Sequence, residues 1–181
     1  MHIQTHILSG WCIGNLFKLN PKERFLCMLA ASLPDLDGLG IIFGQDAYWK
    51  YHHWLGHNLL FGLLISLILA CLSSSRMKAL AIYFILFNVH MLMDYWGSGP
   101  LWELYYLWPF SNHNFVNPHA WPLSSWQNIT AGVILIIWTI YIIIRKQRTP
   151  LEFLMPSLDR QLVEKFLKWF KVIKKEETRN V

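Results

Sequence analysis

The sequence predicts an all-α fold, a multi-pass bundle of membrane helices with a metal site at one end and an amphipathic helix at the C-terminus. Three observations carry that reading. Hydrophobic residues make up 54% of the 181 and charged residues only 15%, where an ordinary soluble domain carries roughly 25% charged. The apolar residues run in blocks rather than being spread along the chain. Histidines and aspartates collect at the borders of those blocks, on one end of the bundle.

A first apolar segment, residues 3–17, is short and holds His6 just after His2. The second, residues 23–33, stops at Pro34. Both are weak spanning candidates, expected to pack on the others. The third, fourth and fifth, residues 58–73, 79–96 and 128–144, are 16, 18 and 17 residues long. At about 1.5 Å per residue they reach roughly 24–27 Å, at the short limit for a hydrocarbon core of about 30 Å. After Pro150 the composition shifts. Leu158, Leu162, Phe166, Phe170 and Ile173 share one helical face and lysines fill the rest, the pattern of a basic amphipathic helix on the cytoplasmic membrane surface. The expected organisation is a membrane-embedded domain over residues 1–150 and a tail helix over 151–181.

Charge sets the direction. Lys18, Lys22 and Arg24 lie between segments one and two, Arg76 and Lys78 between three and four, and Arg145, Lys146 and Arg148 after five. With alternating segments all three groups fall on one side, the cytoplasmic side by the positive-inside rule. Residues 79–144 contain no Lys or Arg. Trp49, Trp54, Trp96, Trp102, Trp108, Trp121 and Trp126 lie in or beside the two opposite connections, as an interfacial cap would. The net charge of +5 is explained by this placement, and no basic, aromatic-interleaved stretch marks a nucleic-acid binder. Cys12, Cys27 and Cys71 sit singly in apolar stretches, so neither a disulfide framework nor a thiolate metal site is expected. The N-terminal stretch lacks a positive leader and a cleavage site, so no cleaved signal peptide is expected.

Four stretches of chain deliver ionisable residues to the end opposite the basic turns: His6; Asp35 and Asp37 in LPDLDG; His52, His53 and His57 in YHHWLGHN; and His90 and Asp94 in HMLMD. His90 and Asp94 are four apart and lie one above the other on a helix face. His53 and His57 have the same spacing, provided that the helix includes both. Ionisable groups in membrane segments are costly and read as functional. Asp35, Asp37 and Asp94 would repel one another in a low dielectric, and a divalent cation relieves that repulsion. Imidazole with carboxylate suits zinc, manganese or iron, with zinc the first choice and one or two ions. His113 and His119 in the outer loop are second-metal ligands, substrate contacts or solvated loop residues.

Taken in order, these motifs resemble a bacterial family of membrane-bound metal-dependent hydrolases, also described as LexA-binding and inner-membrane-associated. The resemblance rests on Thr5-His6, on Leu33-Pro34-Asp35-Leu36-Asp37, on His52 to Asn58, on His90 to Asp94, and on Leu107-Trp108-Pro109, and covers residues 1–111. Gly38, His53, Gly56 and Asn58 depart from that family's pattern. By motif order the family is in turn similar to zinc-dependent phospholipase C and P1 nuclease, an analogy that points to phosphoester substrates.

The resemblance implies that His6, His57, His90 and Asp94 hold the metal. One of Asp35 and Asp37 would be the general base and the other a ligand or an orienter of a ligating histidine. His52 or His53 would protonate the leaving group or bind phosphate. Three readings are compatible with these residues: a membrane-bound hydrolase of a lipid or lipid-linked phosphoester, in the bacterial inner membrane with its site on the extracytoplasmic face; a non-catalytic metal-binding membrane protein, a sensor or accessory; and a partner-binding membrane scaffold that uses the tail helix.

Overall fold

The computed structural model of the chain describes residues 1–100 and 102–170, apart from the side chains of Trp49 and Lys50. Ile173 and the lysines beside it, part of the expected tail-helix face, lie outside the described residues. Those described form seven α-helices and one 3-10 helix, with a single isolated bridge between Leu104 and Phe115.

Helix α1 (Ile3–Gly14) lies close against α2 (Pro21–Ser32). Gly10 permits this, since a Cβ there would stand 2.5 Å from the Cys27 carbonyl oxygen. The start of α2 is fixed by a capping box. The Asn20 side chain accepts from the Glu23 amide (2.9 Å), the Glu23 carboxylate accepts from the Asn20 amide (3.0 Å), and Pro21 opens the first turn, which satisfies donors a helix start otherwise leaves unpaired. The chain then tightens into the 3-10 helix Leu33–Phe43, ends it at Gly44, and folds α3 (Gln45–Tyr51) back against it.

Helix α4 (Leu59–Cys71) starts at Asn58, whose side chain accepts from the Phe61 amide (2.9 Å). A short turn leads into α5 (Arg76–Gly97), which runs back along α4 and continues past it. Helix α6 (Trp126–Lys146) packs on α1, and α7 (Pro156–Trp169) on the end of α6. The core lies where α2, α4 and α5 meet, around Cys27, Ala30, Leu69, Tyr83 and Leu86.

Among the described residues three runs are long and apolar enough to cross a membrane: Pro21–Phe43, Arg76–Gly97 and Trp126–Lys146. This corrects the expectation for two segments. The second is extended by the 3-10 helix into a 23-residue run, whereas the third is shortened to the 13 residues of α4, because Asn58 caps it and the residues before Asn58 are held in a turn. On α6, Ile129, Ile134 and Ile137 are 57–61% exposed, surface that suits lipid rather than water.

At the basic end, Arg24 clasps Glu152 through Nε (2.5 Å) and Nη2 (2.6 Å), Phe25 meets the Phe153 ring at 5.3 Å, and the Asp159 carboxylate accepts from the Thr149 amide at 2.6 Å. Lys146 donates to the Asn15 carbonyl. These contacts tie the segment leading into α7 to the α1–α2 turn.

Candidate metal centre

All eight ionisable residues singled out in the sequence come together at the end opposite the basic turns. His90 and Asp94 project from one face of α5, with His90 Nε2 2.9 Å from Asp94 Oδ2. His6 comes from α1, Asp35 and Asp37 from the 3-10 helix, and His52, His53 and His57 from the turn before α4. His6, Asp35, His90 and Asp94 each offer a ligand atom within 4.8 Å of the others, as do His53, His57 and Asp94, and Asp37, His52 and His57. The side chains of His6, His57 and His90 are fully buried, and that of Asp94 is 1% exposed.

The hydrogen bonds behind the cluster fix two tautomers. His90 Nδ1 lies 2.8 Å from the Ala31 carbonyl oxygen, which can only accept, so Nδ1 carries a hydrogen. His57 Nδ1 lies 2.9 Å from Asp37 Oδ2, also an acceptor, so this Nδ1 carries one too. In the neutral rings both Nε2 atoms are then bare acceptors, and they face each other at 3.1 Å. Asp94 Oδ2 stands 2.9 Å from one and 3.3 Å from the other, and Asp35 Oδ1 stands 3.7 Å from both. Two imidazole lone pairs and two carboxylates converging in a buried place repel unless something positive lies among them. A proton on His57 is one solution. Burial opposes charging that ring, yet hydrogen bonds to Asp37 and Asp94 outweigh burial and raise its pKa to about 9. The Met1 amine ion-pairs with Asp94 Oδ1 on one side of the cluster, and a divalent cation among the ligand atoms is a further solution, since the donor set of imidazole nitrogens with carboxylate oxygens matches zinc chemistry.

Both carboxylate oxygens of Asp37 are engaged by donors around it. Oδ1 accepts from His52 Nδ1 (2.7 Å), and Oδ2 accepts from His57 Nδ1 and from the Gly56 amide (2.9 Å each). It therefore orients two histidines and leaves their Nε2 atoms pointing away from it. Asp35 differs, because its Oδ2 is buried and has no hydrogen-bond partner. Of the two roles the sequence left open, the geometry gives Asp37 the orienting one.

The expected helical spacing of His53 and His57 is not realised. Helix α4 begins after both, and His53 takes a left-handed backbone (φ 68°). A turn rather than a helix face brings His53 in, with its Nε2 3.8 Å from Asp94 Oδ2. Burial, with the neighbouring His57 adding to it, holds the His53 pKa well below that of free imidazole. Trp102 stacks at an angle on His53, with ring centroids 4.9 Å apart. His113 and His119 stay outside the cluster: the His113 ring meets Phe115 edge-on, and the His119 amide donates to Asn117.

Several parts of the site carry no sequence signal of their own. The Ala31 carbonyl that orients His90 belongs to an unremarkable alanine. Ser98 donates to Asp94 Oδ1 (2.9 Å), which also accepts from the Met1 amine. Gly56 was visible only as a departure from a pattern. A Cβ there would stand 2.1 Å from the Pro34 carbonyl oxygen, so the turn can close on the 3-10 helix and present its amide to Asp37 only because residue 56 is glycine.

Neither a curated protein nor a solved structure matches the chain. A family model described as YdjM inner membrane protein matches residues 1–163, which takes in every helix that builds the cluster and most of α7. With that match and the apolar helices described above, the chain is a membrane protein and belongs to the YdjM inner membrane protein family.

Proposed function

We propose that the chain is a membrane-embedded hydrolase that depends on a divalent cation, zinc first, and cleaves a phosphoester of a lipid or lipid-linked molecule on the extracytoplasmic side of the bacterial inner membrane. The observation that carries this is the His57–His90 pair, two acceptor nitrogens with fixed tautomers facing each other beside two carboxylates. His6, His57, His90, Asp94 and Asp35 Oδ1 would hold the cation, and one or two ions suit the two overlapping groups that share Asp94. When bound, such an ion activates water near neutral pH and polarises a phosphoryl oxygen.

The chain's own residues supply the rest. Asp35 Oδ2, with no hydrogen-bond partner, takes the proton from the attacking water. Asp37 holds His57 and His52 in position. His52, its Nδ1 donating to Asp37, has Nε2 as an acceptor in the neutral ring and would hand a proton to the leaving oxygen from the doubly protonated ring. His53, neutral at pH 7 because of its burial, suits contact with phosphate better than proton donation. Trp102 packs against His53 and shields this side of the cluster from water.

Metal content measured on purified protein decides the first step. About one or two equivalents are expected in the parent chain, with strong loss in His90→Ala and Asp94→Ala; equal content in all three, or none in the parent, refutes the site. Activity on phosphodiester and phospholipid substrates decides the second. Asp35→Asn should lose turnover while retaining metal, and full turnover in that variant would remove Asp35 as the base. The near-complete burial of the cluster also favours a second reading, a closed, non-catalytic metal site, for which metal would be present and every substrate untouched.

A further inference from the structure

The 3-10 helix has a property that an α-helix would not give it. At three residues per turn, positions three apart stack in straight rows. Three rows result. Pro34 and Asp37, both buried, start a row that turns inward at the cluster and ends at the exposed Phe43 (86%). Leu36, Leu39 and Ile42 form a row turned outward, at 50%, 53% and 74% exposure. Asp35 and Gly38 lie in the row between, and a Cβ on Gly38 would stand 3.4 Å from the His52 ring. Among the eight ionisable residues, only the side chains of Asp35 (13%) and His52 (12%) are appreciably exposed. The mouth of the cluster is therefore beside an unpartnered apolar ridge.

The ridge also continues an apolar surface. It lies within the run Pro21–Phe43, which is long and apolar enough to cross a membrane. On the other side of the cluster, His90 lies roughly 10 Å along α5 from its Gly97 end, at 1.5 Å per residue. With this run and α5 crossing a bilayer, the mouth would open short of the Gly97 end of α5, with lipid as its neighbour.

We propose that Leu36, Leu39 and Ile42 are seated in the leaflet at the cluster's end of the bundle, and that the mouth beside them admits the phosphate headgroup of a bilayer phospholipid sideways from that leaflet to Asp35 and His52. This route rests on the hydrolase reading only for the fate of the lipid once it is inside. The occupant is a membrane phospholipid rather than a soluble phosphate, because the ridge beside the mouth belongs to a run apolar enough to cross a membrane.

The test uses the full chain in vesicles of phosphatidylethanolamine and phosphatidylglycerol. Leu39→Cys and Ile42→Cys, each with Cys71→Ser, are spin-labelled and their access to oxygen is compared with access to a nickel chelate. Labels at acyl-chain depth are expected, and labels reached preferentially by the nickel chelate overturn the seating of the ridge. A phosphatidylethanolamine bearing an aryl azide on its headgroup is expected to cross-link within residues 33–58, without competition from soluble phosphoethanolamine. No cross-link, or one abolished by the soluble compound, overturns the lateral route. Ile42→Asp is expected to retain its metal and its turnover of a soluble aryl phosphodiester while phospholipid turnover falls about tenfold. Equal turnover of phospholipid by that variant overturns the proposal. If the parent protein hydrolyses neither substrate, the hydrolase reading fails, and the label depth and cross-link still decide the route.

Discussion

His57 shows how one residue can register whether the centre holds a cation. Its pKa is raised to about 9 in the metal-free protein, from an ordinary 6.5. A raised pKa means that folding stability from the protonated ring is fully present below pH 6.5 and is lost as pH climbs through about 9. The metal-free protein in detergent should therefore unfold at lower temperature at pH 9.5 than at pH 6. With zinc bound the ring is held neutral and this particular loss should disappear. A metal-free melting curve that does not fall over that window would show that His57 is not charged in the folded protein. Asp37 offers a second test. Because it orients His57 and His52, Asp37→Asn should weaken metal affinity by about 10–100-fold without abolishing binding, as measured by competition with a chromophoric chelator. The residues of the cluster were legible in the sequence because His90 and Asp94 lie in an otherwise apolar run. The groups that orient them were not, because a backbone carbonyl at Ala31 and the missing side chain of Gly56 act through geometry that appears only when distant segments meet.

Among the elements, the turn between α1 and α2 and the segment leading into α7 are fastened by one buried ion pair. Arg24 and Glu152 side chains are 5% and 9% exposed, and removing one partner leaves the other charge buried and unpaired. Glu152→Ala should cost about 3–5 kcal/mol, read as a lower unfolding temperature in detergent. Its metal content should match the parent, since the pair is at the opposite end from the cluster; loss of metal would show that the two ends are coupled. Asn20→Ala removes half of the capping box and should cost about 1 kcal/mol. Segment positions were readable from hydropathy, and α5 and α6 fall close to expectation. The 3-10 helix was not readable, because LPDLDGLGIIF fits turn, cap and helix equally until its packing against α3 selects the tighter winding. The role of Glu152 was hidden for the same reason: its partner is 128 residues away.

For the whole molecule, composition announced the membrane, and the separation of basic turns from His/Asp stretches announced two chemically different ends. Four chain stretches that meet only in the folded state build the cluster, so the proposed cation would act as a fastener among α1, the 3-10 helix, the turn before α4 and α5. Stripping it with a chelator at neutral pH should lower the unfolding temperature, and zinc at a hundred times its dissociation constant should restore about 2.7 kcal/mol. A melting curve indifferent to chelator and zinc would argue against the centre. The orientation proposed from the basic turns is checked by a tag placed between Arg76 and Lys78: labelling from outside intact cells would reverse it.

The unequal helix lengths have a mechanical consequence. Helices α1 and α4 are 12 and 13 residues long, against 22 and 21 for α5 and α6. At 1.5 Å per residue the short two reach only about 18–20 Å, well below the roughly 30 Å of a hydrocarbon core. A bilayer meeting a stretch this short thins to match it, at a cost of fractions of a kcal/mol per ångström of mismatch. Beside α1 and α4 the bilayer would thin, and under the proposed route this would bring the headgroup layer down toward the histidines and spare a lipid part of the climb out of its leaflet.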